Sequence, residues 1–333
     1  MPRKVELSHR TIIFTAMFAL LLWFVFQIRD VLLMVFVSLI LMSALNPAVD
    51  RLEKWRVPRG LAILLTYLVL WGTIGGLIAG IVPSLVDQTR HLISRLPQAL
   101  GQIEVLNSNQ QAITSQLLTQ IGTLPENLLR LTVGIFGNLL TVFTTLVITF
   151  YLLLERKHLD KYLSALLGRD TPTKVGHIIN EIERRLGGWV RGELVLMFAV
   201  GLFTYLGLVI LGVDIALPLA IIAGVLEIVP NIGPTISAIP AVLIALTIHP
   251  LTALATVALY FLVQIMENNF LVPKIMQKAV GVNPLICILG LLIGLKIAGP
   301  AGAVLAIPLI IVVQTIGLEA FSFKRLGDLS VGT

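Results

Sequence analysis

Residues 218–248 have the sequence PLAIIAGVLEIVPNIGPTISAIPAVLIALTI, and residues 284–315 have the sequence PLICILGLLIGLKIAGPAGAVLAIPLIIVVQT. Both begin with Pro-Leu, place a glycine six residues after that proline, and continue with a Gly-Pro pair and then an Ile-Pro pair. The intervals from Pro218 to Pro234 and from Pro284 to Pro300 are both sixteen residues, with no gap. The shared spacing indicates an internal repeat.

Each copy of the repeat has an apolar arm, a Gly-Pro break and a second apolar arm. An arm of about 12 to 16 residues, at roughly 1.5 Å per residue, reaches ~18 to 24 Å, which is short of the ~30 Å hydrocarbon thickness. We therefore predict two re-entrant helical hairpins, because broken backbone at membrane depth must face protein or a water-filled cavity. The alternative is two pairs of proline-kinked helices that pack tightly with no site between them.

The composition is that of an integral membrane protein. Hydrophobic residues make up 57% of the chain and charged residues 13%, and the mean hydropathy is +0.96. Long apolar runs without alternation, such as residues 251–263, predict helices and exclude membrane β-strands. The one cysteine, Cys287, lies in an apolar arm, so neither a disulfide framework nor a cysteine metal site is expected.

The apolar runs predict an all-α polytopic fold with about six full spans in addition to the two hairpins. Amphipathic helices outside the bilayer are predicted for residues 87–130 and 155–192, where apolar residues recur at helical spacing. The predicted spans are residues 12–26, 31–45, 61–86, 131–154, 194–211 and 251–266. The predicted regions are 1–86 (transmembrane), 87–130 (extracytoplasmic), 131–154 (transmembrane), 155–192 (cytoplasmic), 193–318 (transport core) and 319–333 (cytoplasmic tail).

The distribution of Lys and Arg predicts the orientation. Eight of the 24 lie in residues 155–191. With the N-terminus in the cytoplasm, cytoplasmic segments hold 19 of the 24, the outer segments hold four, and Lys296 lies at membrane depth. This asymmetry follows the positive-inside rule and also places the C-terminus in the cytoplasm. Because one span and one hairpin separate the copies, the second hairpin is predicted to be inverted relative to the first and to enter from the opposite side.

The chain carries no HExxH sequence, Walker phosphate loop, nucleophile elbow or histidine cluster, so no enzymatic activity and no cofactor are expected. The polar and backbone-breaking residues near the hairpin tips are the predicted substrate or ion pathway, because helix ends at a break leave free carbonyls and amides. For Glu267, Asn268 and Asn269 at the end of the sixth span, a position at the polar membrane interface explains the residues as well as a role in the pathway does. The predicted residues are Glu227, Pro230, Asn231, Gly233, Pro234, Thr235, Ser237, Gln264, Glu267, Asn268, Asn269, Lys296, Gly299 and Pro300.

Several of these residues carry a resemblance to a known family. The sequence EIVPNIGP at residues 227–234, followed by Glu267-Asn268-Asn269, GVNP at 281–284 and Gly299-Pro300, resembles the autoinducer-2 exporter family of bacterial membrane proteins. The match is specific over residues 193–318. The resemblance implies a multi-pass inner-membrane transporter that assembles as a homo-oligomer. Some members of the family are linked to autoinducer-2 export and others to sodium/proton antiport, so the resemblance does not fix the substrate.

Three functions remain open at this point. The leading hypothesis is a secondary transporter in the lipid bilayer that exports a small polar solute or exchanges a monovalent cation, such as sodium, for protons. A passive oligomeric channel and a non-transporting membrane scaffold are the alternatives. A nucleic-acid partner is not expected, because the net charge of +6 is sorted by loop.

Glu227 is the strongest single candidate. It lies nine residues after Pro218, which is about 13 Å along a helix. A charge at that depth costs at least ~2.5 kcal/mol on insertion scales. Two explanations would account for a carboxyl group at this depth. Lys296 aligns with Pro230 in the repeat, so Glu227 and Lys296 could form a structural ion pair. Alternatively, Glu227 could exchange a proton for a cation or substrate. We favour the second explanation.

Overall fold

The computed structural model describes residues 9–76, 79–80, 83, 139–159, 162, 164–165, 172–213, 215–230, 232–276, 281 and 283–330. Every regular element in these ranges is a helix, as predicted. The amphipathic segment predicted at 87–130 lies outside them. The helices are α1 (His9–Gln27), α2 (Arg29–Lys54), α3 (Arg59–Gly76), α4 (Leu139–Glu155), α5 (Pro172–Ile210), α6 (Ala216–Leu226), α7 (Ile232–Ile248), α8 (Pro250–Met266), a π-helical turn (Glu267–Leu271), α9 (Val272–Met276) and α10 (Pro284–Ser330).

Six of the described helices are long and apolar enough to cross a membrane, and many large apolar side chains on them are exposed. Such a surface is stable against lipid and not against water. The number of candidate spans equals the predicted number, but the helices that make up the six differ from those predicted. The apolar part of α1 (Ile13–Gln27) is shorter than the other candidates, while the candidate Leu285–Leu318 contains both arms of the second hairpin.

Each repeat copy folds as two helical arms around a break. In the first copy, α6 ends at Leu226 and α7 begins at Ile232. In the second copy, Ala298 and Gly299 interrupt α10, and the arms on either side pack so closely that a Cβ on Gly294 would overlap the Gly302 carbonyl. The second break falls at the predicted Gly299-Pro300 pair. The first break was predicted at Gly233-Pro234 but precedes that pair, which lies in the first turn of α7, where a proline is tolerated. The depth to which the hairpins enter a membrane remains a prediction.

The α5 helix differs from its prediction. An amphipathic helix within 155–192, lying on the membrane surface or on the protein, and a separate span at 194–211 were expected, but Pro172–Ile210 forms one continuous helix of 39 residues. No proline interrupts it after its first residue, and Gly187 and Gly188 are tolerated inside the helix. Leu186 and Trp189 are buried in a cluster with residues of α2 and α10, so of the two expected positions this face takes the one on the protein.

Two hydrophobic clusters form the core around helices α5 to α10. The hairpin-1 cluster joins α6 and α7 to the second half of α5 and to α8, and the hairpin-2 cluster joins α10 to the first half of α5 and to α9. Helix α5 is therefore shared by both clusters. Buried members of the first include Val200, Ala223, Ala241 and Val263, and those of the second include Leu186, Trp189, Leu291 and Ile307.

Arg59 connects the N-terminal helices α2, α3 and α4, and α2 also packs against α5 through Ile40. Its guanidinium donates hydrogen bonds to Asp50 Oδ1 at 2.8 Å, Glu53 Oε2 at 3.0 Å and the Leu153 carbonyl at 2.8 Å. Arg59 begins α3, the two acids belong to α2, and Leu153 belongs to α4. One side chain thus connects three helices.

Candidate functional site: a buried carboxyl cluster

Glu227 lies in the break of the first hairpin, directly after α6. Its side chain is fully buried, and neither carboxyl oxygen accepts a hydrogen bond from a donor in the described part of the chain. An unpaired buried carboxylate is costly, so this group requires either a proton or a bound partner.

Glu267 is held at the opposite side of the site, at the end of α8. It starts the π-helical turn Glu267–Leu271, and its side chain is 1% exposed. The Gln264 amide, Nε2, donates a hydrogen bond to Oε2 of Glu267 at 2.9 Å, while Oε1 has no partner among the described residues. Single π-helical turns occur frequently at functional sites, because the extra residue changes where the side chains point.

Glu193 is a third buried carboxyl group, which the sequence analysis missed. Its side chain is 3% exposed, and neither oxygen has a hydrogen-bond partner among the described residues. Glu193 belongs to the buried stripe of α5. This helical spacing was the available signal, since other members are Leu186, Trp189, Leu196, Val200 and Leu208.

Small residues bring Glu193 and Glu227 to one helix interface. A Cβ on Gly224 would lie 2.6 Å from the Met197 carbonyl oxygen, and a Cβ on Gly201 would lie 3.2 Å from the Ala220 carbonyl oxygen. Helices α5 and α6 therefore pack antiparallel and in close contact. One turn beyond this contact, Glu193 on α5 faces the end of α6 where Glu227 lies.

The three carboxyl groups act on one another. Glu227 interacts electrostatically with both Glu193 and Glu267, and Glu193 interacts with Glu267. Glu227 and Glu267 are close enough to share a hydrogen bond when one of them carries a proton. Like charges in one buried site do not all ionise, so the cluster is expected to hold protons.

The cluster lies at the seam between the two hydrophobic clusters. Along α8 and the π-helical turn, Val263 belongs to the hairpin-1 cluster and Leu271 to the hairpin-2 cluster, with Glu267 between them. At the first tip, Ala223 belongs to the hairpin-1 cluster and Val229 packs against the hairpin-2 cluster, with Glu227 between them in the chain. A movement of one hairpin relative to the other would therefore change the surroundings of these carboxyl groups.

Buried hydroxyl groups lie on the same helices as the cluster. Ser237 Oγ donates a hydrogen bond to the Pro234 carbonyl at 2.9 Å. The Tyr260 hydroxyl lies beside Ser237 and is on the same buried face of α8 as Glu267, about 10 Å away along the helix. Both groups could hydrogen-bond a polar solute that entered between α7 and α8.

The other predicted pathway residues occupy varied positions. Gly233 and Pro234 are buried and Pro230 is half-buried. Lys296 is exposed and forms no ion pair with Glu227, whose oxygens are both unpaired within the described ranges. Gly299 has a φ of +62°. Thr235, Asn268, Asn269 and Pro300 are exposed, and Asn231 lies outside the described residues.

The cluster does not resemble a metal centre. In the described part of the chain, no group of three His, Cys, Asp or Glu residues has an arrangement that could hold a metal ion.

Comparison with known proteins identifies the family of this chain. A family model described as "AI-2E family transporter" matches residues 12–321. The chain is 28% identical to the putative transport protein YueF of Bacillus subtilis, with 86% of the chain and 83% of YueF covered. It is also 28% identical to the AI-2 transport protein TqsA of Escherichia coli, with 85% of the chain and 83% of TqsA covered. The chain is therefore a multi-pass membrane protein that belongs to the AI-2E transporter family.

Proposed function

We propose that this protein is a secondary transporter that couples the movement of a small polar solute to protons, with Glu227 as the coupling group. The observation that carries this proposal is the complete burial of Glu227, without any hydrogen-bond donor in the described ranges, inside a broken helical hairpin. A structural carboxylate would be expected to have a cation or several donors around it.

The neighbouring groups support a proton as the coupling ion. When Glu227 is protonated, its hydroxyl can donate to Oε1 of Glu267, which otherwise has no partner. When the site opens to water, solvation favours release of that proton. Occupancy of the site would then bias the equilibrium between two arrangements of the hairpins, which is the requirement for coupling.

The solute we propose is a small hydroxylated molecule such as autoinducer-2, moved out of the cell. The relative TqsA is named for autoinducer-2 transport, and the hydroxyl groups of Ser237 and Tyr260 provide matching polar contacts. We further propose that the protein works as a homo-oligomer in the bacterial inner membrane.

Flux into proteoliposomes tests the proposed function. The purified full-length protein is reconstituted, and autoinducer-2 uptake is measured with and without an imposed pH gradient, in sodium-free and sodium-containing buffer. We expect accumulation above the equilibrium concentration only when the pH gradient is present, in both buffers. Equilibration of autoinducer-2 without accumulation would indicate a channel. Accumulation that depends on sodium would indicate that sodium is the coupling ion. Absence of any flux would show that autoinducer-2 is not the solute.

The orientation we propose has both termini in the cytoplasm and residues 87–130 outside. Single cysteines are placed in residues 87–130 or 155–171 of a Cys287→Ser protein, and intact cells are treated with a membrane-impermeant maleimide. We expect labelling only in the first group, because the excess of Lys and Arg in the second favours the cytoplasm. Labelling in the reverse pattern would overturn both the orientation and the assignment of each hairpin to one side of the membrane.

A further inference from the structure

We propose that Glu193 is a second proton carrier of this transporter, so that two protons, one on Glu193 and one on Glu227, are bound for each solute moved. The inference rests on the proposed proton coupling and adds its stoichiometry and a residue to which no role has been assigned.

The first support is geometric. Glu193 is 3% exposed, lies one turn before the close contact between α5 and the first hairpin, and has no hydrogen-bond partner for either oxygen among the described residues. Glu227, at 0% exposure, has two unpartnered oxygens in the same interface. Two unpaired carboxyl groups from different helices therefore meet in one buried site.

The second support comes from counting charges. All three pairs among Glu193, Glu227 and Glu267 interact electrostatically, and no ion pair in the described ranges includes any of them. A buried site with three interacting carboxyl groups and no compensating cation is expected to keep at most one negative charge. The site must therefore bind two protons when it is closed.

The hydrogen bonds indicate which group keeps the charge. Glu267 accepts a hydrogen bond from Gln264 at 2.9 Å, which stabilises its carboxylate form. Glu193 and Glu227 have no such donor among the described residues. Glu267 is therefore the charged member, and the two protons reside on Glu193 and Glu227.

The position of Glu193 explains how its occupancy could influence movement. Leu196, one turn later on α5, belongs to the hairpin-2 cluster, whereas Val200 belongs to the hairpin-1 cluster. Glu193 thus lies near the point where α5 passes from one cluster to the other. Ionisation of this residue would favour an arrangement that admits water to the seam.

Carbodiimide labelling tests the proton on Glu193 without any solute. N,N′-dicyclohexylcarbodiimide is apolar and modifies protonated carboxyl groups, so the reconstituted full-length protein is treated at neutral pH and the sites are located by peptide mass spectrometry. We expect modification of Glu193 and Glu227. Glu181 on the same helix is the matched negative control, because Arg184 and Arg185 each donate to its carboxylate at 2.7 Å. Modification of the more deeply buried Glu227 without Glu193 would overturn the proposal.

A thermodynamic measurement tests the stoichiometry. Net autoinducer-2 flux is measured at a series of opposed solute and proton gradients, with the membrane potential clamped at zero by potassium and valinomycin. At the null point, the solute concentration ratio equals the proton concentration ratio raised to the number of protons coupled. We expect an exponent of about two for the parent protein and about one for Glu193→Gln, because each coupled proton contributes one factor of its gradient. Glu227 still releases its proton in Glu193→Gln, whereas the Glu193 proton moves only in a step in which Glu227 also releases one, so Glu227→Gln loses both.

The two outcomes separate this inference from the proposed function. An exponent of one for the parent protein, or an unchanged exponent in Glu193→Gln, overturns the role of Glu193 while leaving proton coupling intact. An exponent of zero for the parent protein overturns proton coupling itself.

Discussion

Gly233→Ala is expected to reduce gradient-driven flux to the background of empty liposomes. A Cβ at this position would overlap the Leu226 carbonyl and come within 2.9 Å of the Glu227 backbone nitrogen. Because these are backbone atoms, a rotamer change cannot relieve the overlap, and the break that holds Glu227 must open. Overpacking of this kind costs about 1–3 kcal/mol. That is enough to displace the coupling group while much of the protein remains inserted.

Gly317→Ala is the matched control, because a Cβ at Gly317 meets no heavy atom within 4 Å. We expect its flux and membrane insertion to equal those of the parent protein.

Gly299→Leu is expected to lose gradient-driven flux for a different reason than Gly233→Ala. Its neighbourhood is open, but the φ of +62° and ψ of −149° are accessible almost only to glycine. Normal flux in both Gly233→Ala and Gly299→Leu would mean that the two breaks are ordinary kinks.

Glu227→Gln is expected to insert and fold normally and to lose accumulation of autoinducer-2 against its gradient. The amide has the shape of the protonated carboxyl group but cannot release a proton, so the coupled step stops. We expect at least about a tenfold decrease in gradient-driven uptake, which corresponds to ~1.4 kcal/mol. Solute exchange at equal pH should persist, because it requires no deprotonation.

The melting temperature of Glu227→Gln separates this role from a structural one. A structural ion pair predicts destabilisation by several kcal/mol when one partner is removed, commonly about 3–5 kcal/mol for a buried pair. The unpaired carboxyl oxygens of Glu227 predict an unchanged or higher melting temperature. Glu181→Gln provides the control for loss of a carboxylate on the transport region, and its gradient-driven uptake should remain at the parent level. Full uptake by Glu227→Gln would remove this residue from the mechanism.

Local sequence signals predicted the parts of this fold that depend on local chemistry. A Gly-Pro pair disfavours helical backbone, which located the second break at Gly299 and placed the first a few residues from its position before Ile232, although Gly233 itself is helical. Charged groups are rare within apolar segments, which made Glu227 and Glu267 recognisable as site candidates.

Features that depend on which helices become neighbours could not be predicted in the same way. Glu193 follows a segment rich in Lys and Arg, so it resembled the end of a loop until α5 proved continuous. Lys296 aligns with the first tip in the repeat, but the orientation of its arm leaves it exposed. Periodicity identifies a buried face of a helix and does not identify the element that covers it.

Proton movement driven by the solute tests the central claim most directly. Proteoliposomes that contain a trapped pH indicator are given an autoinducer-2 gradient at equal initial pH, with the membrane potential clamped. Thermodynamic linkage requires that a solute gradient move protons if a proton gradient moves the solute. Our account predicts a change of internal pH in the parent protein and none in Glu227→Gln, whereas solute flux through the parent protein without any change of internal pH would contradict it.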